Sequence, residues 1–356
     1  MIRISLCMIV RDEEDVLARC LESARPLVDE IIIVDTGSQD STCQIAQQYA
    51  DKLLQFDWVD DFAAARNFAF SHATGDYLLW LDADDVILPA DQAAFLELKR
   101  TLPSDVDFVM MRYNVCFDTL GNPTLSYYRE RLIRNDPSYR WQGRVHEAVT
   151  PRGKIICSPI AITHRKLRPG DTERNLRIFQ RILAEGQTME PRMQYYYARE
   201  LMFHHQEEEA VEAFRQFLQE GQGWVENNIG ACQDLSCCLE RLGPTGEAMD
   251  ALLLSFRYDR PRPEVCCELG RLFYAKKQYQ TAIYWYEAAT TCPPVDSLGF
   301  QVPDCRDFTP FLQLCLCWFA LGDRKKARAF HEKARALKPD DPAVVHNEAF
   351  FAQLPD

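Results

Sequence analysis

Nowhere does the sequence hold an apolar run of the roughly 20 residues that a membrane-spanning helix needs, so no transmembrane segment is expected. The opening Met1-Ile2-Arg3-Ile4-Ser5 carries neither a long apolar stretch nor a small-residue cleavage site, so no signal peptide is expected. Basic residues are in deficit, 40 Lys and Arg against 53 Asp and Glu, giving a net charge of −13. A surface that acidic does not neutralise phosphate backbones, so no nucleic-acid partner is expected. None of the 14 cysteines falls in the C-x2-C spacing of a zinc site. Without a secretory leader they are expected to be reduced thiols in a cytoplasmic protein.

What remains is ordinary globular composition, 47% hydrophobic and 26% charged, in a chain of 356 residues that suggests two domains. Up to about residue 165, β-rich runs alternate with helical stretches. Ile2–Val10 reads as a buried strand and Glu13–Ala24 as a helix. Asp29–Val34 is the next strand, Ser41–Ala50 and Phe62–His72 are helices, and Tyr77–Leu81 and Phe108–Val115 are further strands. That alternation implies βαβ units and a mostly parallel sheet covered on both faces.

From about Asp171 the strand signal fades and the period becomes helical. Glu268-Leu269-Gly270-Arg271-Leu272-Phe273-Tyr274, followed by Ala282, Tyr286 and Ala289, fits the tetratricopeptide pattern. Related signatures pair Ala210 with Phe214, Ala248 with Leu252, and Ala327 with Phe330. Only the step from Ala248 to Ala282 matches the 34-residue repeat. The last step is lengthened by the Pro-rich stretch Pro293–Pro310. The expected division is 1–170, a connecting helix in 171–190, and helical repeats in 191–356. The pairs Cys237-Cys238 and Cys266-Cys267, and Cys315 with Cys317, read as small buried hydrophobes in helices.

Chemistry concentrates where apolar strands end. Asp35 closes the second strand and is followed by Thr36-Gly37-Ser38, the position at which α/β sheets bind ligands; Asp40 and Ser41 read as caps of the next helix. Leu81-Asp82-Ala83-Asp84-Asp85 puts three carboxylates within four residues, which repel one another unless a cation or donors neutralise them. Hard divalent ions take such carboxylates together with phosphate oxygens. Between Arg129 and Arg168 ten Lys or Arg face only three acidic residues, which suits a diphosphate or an anionic acceptor. Within that segment lie Gly143-Arg144-Val145-His146-Glu147 and Ile162-Thr163-His164. Glu147 is a candidate general base, and Arg144 beside it would keep it ionised.

Taken together, these residues resemble the family 2 glycosyltransferases of GT-A fold, in the bacterial branch that carries tetratricopeptide repeats. The resemblance rests on Ser5–Glu14, Val34–Thr42, Ala65-Arg66-Asn67, Ala73 through Asp85, and Val145-His146-Glu147, in the right order over about 165 residues. The family's usual pattern has Asn where Asp12 stands, and Thr and Gly near Gln39 and Cys43. The resemblance implies a Rossmann-like α/β domain followed by an all-α tetratricopeptide-like solenoid. It implies that Asp35 and Arg66 hold the base of a nucleotide-diphosphate sugar, in all expectation a UDP-sugar. Asp82 would meet the ribose or the metal, and Asp84 and His164 would ligate Mn²⁺ or Mg²⁺. Family members invert the anomeric centre by direct displacement, for which Glu147 would serve as base. The acceptor would be a peptide, a protein or a glycan, presented with help from the repeats.

Two other classes stand beside this reading. A nucleotidyltransferase of related fold would show a Gly-rich, basic loop after the first strand, where Arg11-Asp12-Glu13-Glu14 stands here. An inactive transferase-like scaffold would bind a partner through its repeats, and the retention of Asp35, Asp82, Asp84 and His164 together argues against it.

Overall fold

The computed structural model describes residues 2–118, 121–167, 171–243, 245–293 and 298–353. Arg168, at the end of the basic segment, and residues 294–297 of the Pro-rich stretch lie outside the described residues. The chain forms two compact units, Met1–Met189 and Glu190–Asp356. Among the described residues no helix is long and apolar enough to cross a membrane.

The first unit is built on strands β1 (Ile4–Val10), β2 (Glu30–Asp35), β3 (Lys52–Gln55), β4 (Tyr77–Trp80), β5 (Asp85–Val86), β6 (Phe108–Phe117), β7 (Pro123–Arg134) and β10 (Ile155–His164). Their order across the sheet is β3-β2-β1-β4-β7-β6-β10-β5. β1, β2, β3 and β4 pair in parallel, as do β6 and β10, while β7 runs antiparallel between β4 and β6. A short ribbon, β8 (Trp141–Gln142) with β9 (Ala148–Val149), lies outside this sheet. Mostly parallel pairing with apolar runs such as the Ile31–Val34 segment, 0% exposed throughout, is what burial on both faces produces.

One face packs α1 (Leu17–Ala24), α2 (Thr42–Tyr49) and α4 (Pro89–Thr101) around Leu6, Ile33, Leu79 and Phe95. The other packs α3 (Phe62–Ser71) against Ile32, Val34, Leu78 and Trp80. The first helix starts four residues later than its sequence pattern suggests. Glu13 and Glu14 are spent on the loop after β2: Glu13 N–H donates to Thr42 Oγ1 at 2.7 Å, and Glu14 Oε2 accepts Ser41 N–H at 3.0 Å. The edge strand β3 escaped the pattern because Lys52–Leu54 are only half-buried and the run is four residues long. Helix α5 (Arg174–Ala184), within the stretch expected as a connector, belongs to the first unit.

The second unit is a tetratricopeptide-like solenoid of helical hairpins. It runs α6 (Pro191–Phe203) with α7 (Glu207–Glu220), α8 (Val225–Leu242) with α9 (Thr245–Leu254), α10 (Pro263–Ala275) with α11 (Tyr279–Thr291), and α12 (Phe308–Ala320) with α13 (Arg324–Leu337), then α14 (Pro342–Ala352). Ala210, Ala248, Ala282 and Ala327 each sit on the second helix of a hairpin and are wholly buried. Small residues there let the paired helices approach. At Gly270 the approach is so close that a methyl group would lie 2.8 Å from the Tyr286 ring.

Candidate functional site

The chain leaves β1 toward β2 and β3, then returns to the opposite side of β1 as β4. The sheet's order reverses between β1 and β4, where α/β folds open a crevice at the strands' carboxyl ends. Three loops meet that edge, following β1, β2 and β4.

Asp35, last residue of β2, is 2% exposed, and its carboxylate accepts the N–H groups of Gly37 and Ser38 at 3.1–3.2 Å. Gly37 turns the chain with φ of +104°, a conformation other residues rarely adopt. The loop is tied to the one after β1. Asp12 Oδ1 accepts Gln39 N–H at 2.7 Å, and Asp12 N–H donates to Ser38 Oγ at 3.0 Å. Asp12 itself has φ of +54°, which Asp and Asn tolerate better than most residues. Asp40 accepts Thr42 N–H at 2.9 Å, fastening the first turn of α2.

Arg66 projects from α3, whose start is capped by Asp61 accepting Ala64 N–H at 2.9 Å. Its guanidinium is buried against the perpendicular rings of Trp80 and Trp141, 5.0 and 4.9 Å from the ring centres. Nη2 donates to Asp82 Oδ1 and Nε to Glu147 Oε1, both at 2.6 Å. Nη1 is buried and has no hydrogen-bond partner among the described residues. Burial works against the Asp82 anion, but Arg66, then Arg131 and Arg129, outweigh it and hold its carboxyl down at about 2.

Beyond Asp82 the chain pairs β5 antiparallel with the end of β10, setting His164 opposite Asp85. His164 Nδ1 lies 3.2 Å from Asp84 Oδ1, 3.6 Å from Asp85 Oδ1 and 2.9 Å from the Tyr113 hydroxyl. Asp84, Asp85 and His164 each offer a ligand atom, all within 4.8 Å of one another. Burial depresses the imidazole, but Asp84 in hydrogen-bond reach and the nearby Asp85 carboxylate overcome it and push its pKa up to about 9.

Asp85 is fully buried. Its Oδ2 accepts from Arg131 Nη1 at 2.9 Å and from Asp82 N–H at 3.0 Å, while Oδ1 faces His164 and has no hydrogen-bond partner among the described residues. An unsatisfied buried carboxylate oxygen beside a second carboxylate and an imidazole is a donor set that fits a hard divalent cation.

Glu147 follows His146, whose φ is +51°, in a loop fastened to α3 where Phe62 N–H donates to the Arg144 carbonyl at 2.8 Å. Arg144 does not accompany Glu147 as the sequence suggests. Val145 turns into the core between them, and Arg144 reaches Glu185 at 2.8 Å instead. Arg66 takes that place. The basic segment is likewise largely neutralised: Arg134 meets Asp107, Lys154 meets Asp105, and Arg131 meets Asp85.

Residues 5–156 match the model of Glycosyl transferase family 2. This segment is similar to the family 2 glycosyltransferases. The chain is 45% identical over 151 residues to the TPR repeat-containing protein Synpcc7942_0270 of Synechococcus elongatus, covering 42% of this chain and 36% of that protein. It is 24% identical over 228 residues to the SPbeta prophage-derived glycosyltransferase SunS of Bacillus subtilis, covering 59% of this chain and 52% of that one. Glucosyl-3-phosphoglycerate synthase from Mycobacterium tuberculosis, solved with Mn²⁺ and UDP, aligns over 32% of this chain and 44% of its own, at 21% identity and a TM-score of 0.28. The chain thus spans between a third and about half of the length of these two relatives.

Within the first unit, the structure gathers Arg66, Asp82 and Glu147 in one cluster and Asp84 and His164 in another, joined through Asp85. Sequence reasoning missed Asp85 as a third donor, Arg131 beneath it, and the edge-to-face pair Trp80 and Trp141 against which Arg66 packs. Arg131 gave no signal, because it stands among Arg129, Glu130 and Arg134 rather than inside an apolar run.

Proposed function

We propose that this protein transfers a sugar from a nucleotide-diphosphate sugar, a UDP-sugar, to an acceptor group on a peptide, a protein or a glycan, with inversion. The observation that carries the reading is the convergence of Asp84, Asp85 and His164 beside the Arg66-bridged pair Asp82 and Glu147, at the point where the sheet's order reverses. Asp35 and Arg66 hold the nucleotide, Asp35 from a loop pre-shaped by its own backbone bonds and Arg66 with Nη1 still unspent. Asp82 faces the ribose.

Asp84 and His164, with Asp85 behind them, would hold Mn²⁺ or Mg²⁺. Such a cation supplies Lewis-acid stabilisation of the departing diphosphate. Glu147 accepts the acceptor's proton as the new bond forms on the face opposite the leaving group. The helical hairpins contribute acceptor binding, as solenoid surfaces do for extended peptides.

The reading is tested by calorimetric titration of UDP in the presence and absence of Mn²⁺, together with slow hydrolysis of UDP-sugars. UDP binding that requires Mn²⁺, with release of sugar, is the expected result. A protein that binds no nucleoside diphosphate under either condition is not this enzyme.

A further inference from the structure

Helix α5 lies in the stretch that reads as a connector, beyond residue 156 where the family match ends. It nonetheless belongs to the first unit, and it buries Leu176, Phe179 and Ile182 along one face. Its side chains reach two segments that carry the candidate site. Glu185, just past its last turn, pairs with Arg144 at 2.8 Å. The Phe179 ring stacks on that of His146, with centres 6.2 Å apart and planes 24° from parallel. Toward the start of α3, Arg181 pairs with Asp60 at 2.7 Å, and the Arg174 guanidinium lies 4.6 Å from the centre of the Phe62 ring.

Both segments lead to the same ion pair. Along the loop, Arg144 turns to Glu185, Val145 fills the core, His146 lies on Phe179, and Glu147 meets Arg66 at 2.6 Å. Phe62 N–H donates to the Arg144 carbonyl at 2.8 Å, tying the loop to α3, the helix that carries Arg66. His146 has φ of +51°, in the left-handed region. That conformation is uncommon for a residue with a β-carbon and is sustained where its surroundings impose it. The Phe179 ring and the Arg144–Glu185 pair hold the loop on either side of Val145 and supply that constraint. Without them, rotation about His146 would swing the Glu147 carboxylate off Arg66.

We propose that Phe179 and Glu185 are positioning residues for the transfer reaction, acting on Glu147 through His146 and Arg144. The proposal rests on the reading of Glu147 as general base. The proton that leaves the acceptor oxygen as it bonds to the sugar carbon passes to the Glu147 carboxylate, which must lie within hydrogen-bond reach of that oxygen. A displacement of about 1 Å at such a group can cost ~10²-fold in rate, although the substitution touches no substrate. Donor holding changes little, because Arg66 stays fixed by Asp82 at 2.6 Å and by the rings of Trp80 and Trp141.

The test is made on the full chain with Phe179→Leu, which keeps an apolar side chain but removes the ring, and Glu185→Gln, which removes one charge near the surface. Both are compared with Glu147→Gln. Turnover is read as release of UDP from UDP-glucose, UDP-galactose and UDP-N-acetylglucosamine with Mn²⁺, water serving as acceptor, and donor affinity is read by titration of UDP. Phe179→Leu should lower turnover ~10–100-fold and Glu185→Gln several-fold, each with UDP affinity within a few-fold of wild type. Added to Glu147→Gln, Phe179→Leu should cost almost nothing further, because the group it positions is gone. A merely structural role would add its loss in full. Amide exchange reads the same link without turnover: residues 144–147 should exchange faster in both variants while β1 and β4 keep wild-type protection.

Wild-type turnover in Glu147→Gln overturns the base assignment and this proposal with it. If Glu147→Gln loses turnover while Phe179→Leu and Glu185→Gln retain both turnover and protection of the loop, this proposal alone falls. So it does if the Phe179→Leu loss persists undiminished in the Glu147→Gln background. Should Phe179→Leu fail to fold, Glu185→Gln decides through the same readouts.

Discussion

Arg66 and Glu147, 81 positions apart in the chain, are joined at 2.6 Å, and the same guanidinium grips Asp82. The carboxylate proposed to take the acceptor's proton is therefore held by the residue proposed to hold the donor. Replacing Glu147 by Gln preserves an oxygen for Arg66 Nε while removing the base. Turnover should fall by ~10²–10⁴-fold, with UDP affinity within a few-fold of wild type. Steady-state rates and UDP titrations on the same preparation separate the roles. Joint loss of affinity and turnover would make Glu147 the holder of Arg66 instead.

Asp84 and Asp85 are neighbours with opposite expected behaviour. Asp84 contacts His164 near the surface, so Asp84→Ala should remove Mn²⁺-dependent UDP binding and leave the melting temperature close to wild type. Asp85→Ala leaves the buried Arg131 cation without its counter-charge, a loss of ~3–5 kcal/mol in comparable buried pairs. Urea unfolding of both variants checks the contrast. An Asp84→Ala protein that binds UDP with Mn²⁺ as tightly as wild type would remove Asp84 from the metal site.

Glu30 gathers the start of the sheet. It accepts from Ser5 Oγ at 2.5 Å, Thr74 N–H at 2.8 Å and Lys52 Nζ at 2.9 Å. Burial raises its pKa, but the bonds from Ser5, Lys52 and Thr74 prevail and hold it at about 2, against an ordinary value of 4.5. The folded value is the lower one, so the stabilisation is complete above the unfolded pKa and is lost as pH falls from about 4.5 toward 2. Glu30→Gln should be less stable at neutral pH and show a shallower acid loss across that window. Denaturant melts over the acid range measure it; parallel slopes for the two proteins would contradict the assignment.

Residues 190–356 should fold alone, since hairpin repeats pack mainly on their neighbours. A cooperative melt and helical circular dichroism are expected of that fragment. Within it, Gly270→Ala should lower the melting temperature although alanine favours helix over glycine by about 1 kcal/mol, because the added methyl would meet the Tyr286 ring at 2.8 Å. A rise would show that α11 can give way.

Much of this was legible because it is periodic. The parallel strands read as apolar runs, and Asp35, Asp82 and Asp84 stood out as charges where such runs end. The hairpins announced themselves through the alanines that bring helices together. What stayed hidden depends on contacts far apart in sequence. Nothing near Glu147 points to Arg66, and charge counting assigned it Arg144. Asp85 looked like a third acid in a loop until strand pairing set His164 across from it. The basic segment looked like a phosphate-binding surface because its acidic partners, Asp85, Asp107 and Glu185, lie outside it.

Trp80 ends β4 with three guanidinium groups around its indole, those of Arg66, Arg129 and Arg131 at 5.0, 4.7 and 3.8 Å, and Trp141 edge-on at 5.0 Å. Through those arginines one ring sets the positions of Asp82, Glu147 and Asp85 together. Substitutions across this quarter of the molecule will consequently be non-additive. Once Trp80 is replaced, further loss of any one arginine should cost far less than it does alone, because the three have a common mount rather than separate ones.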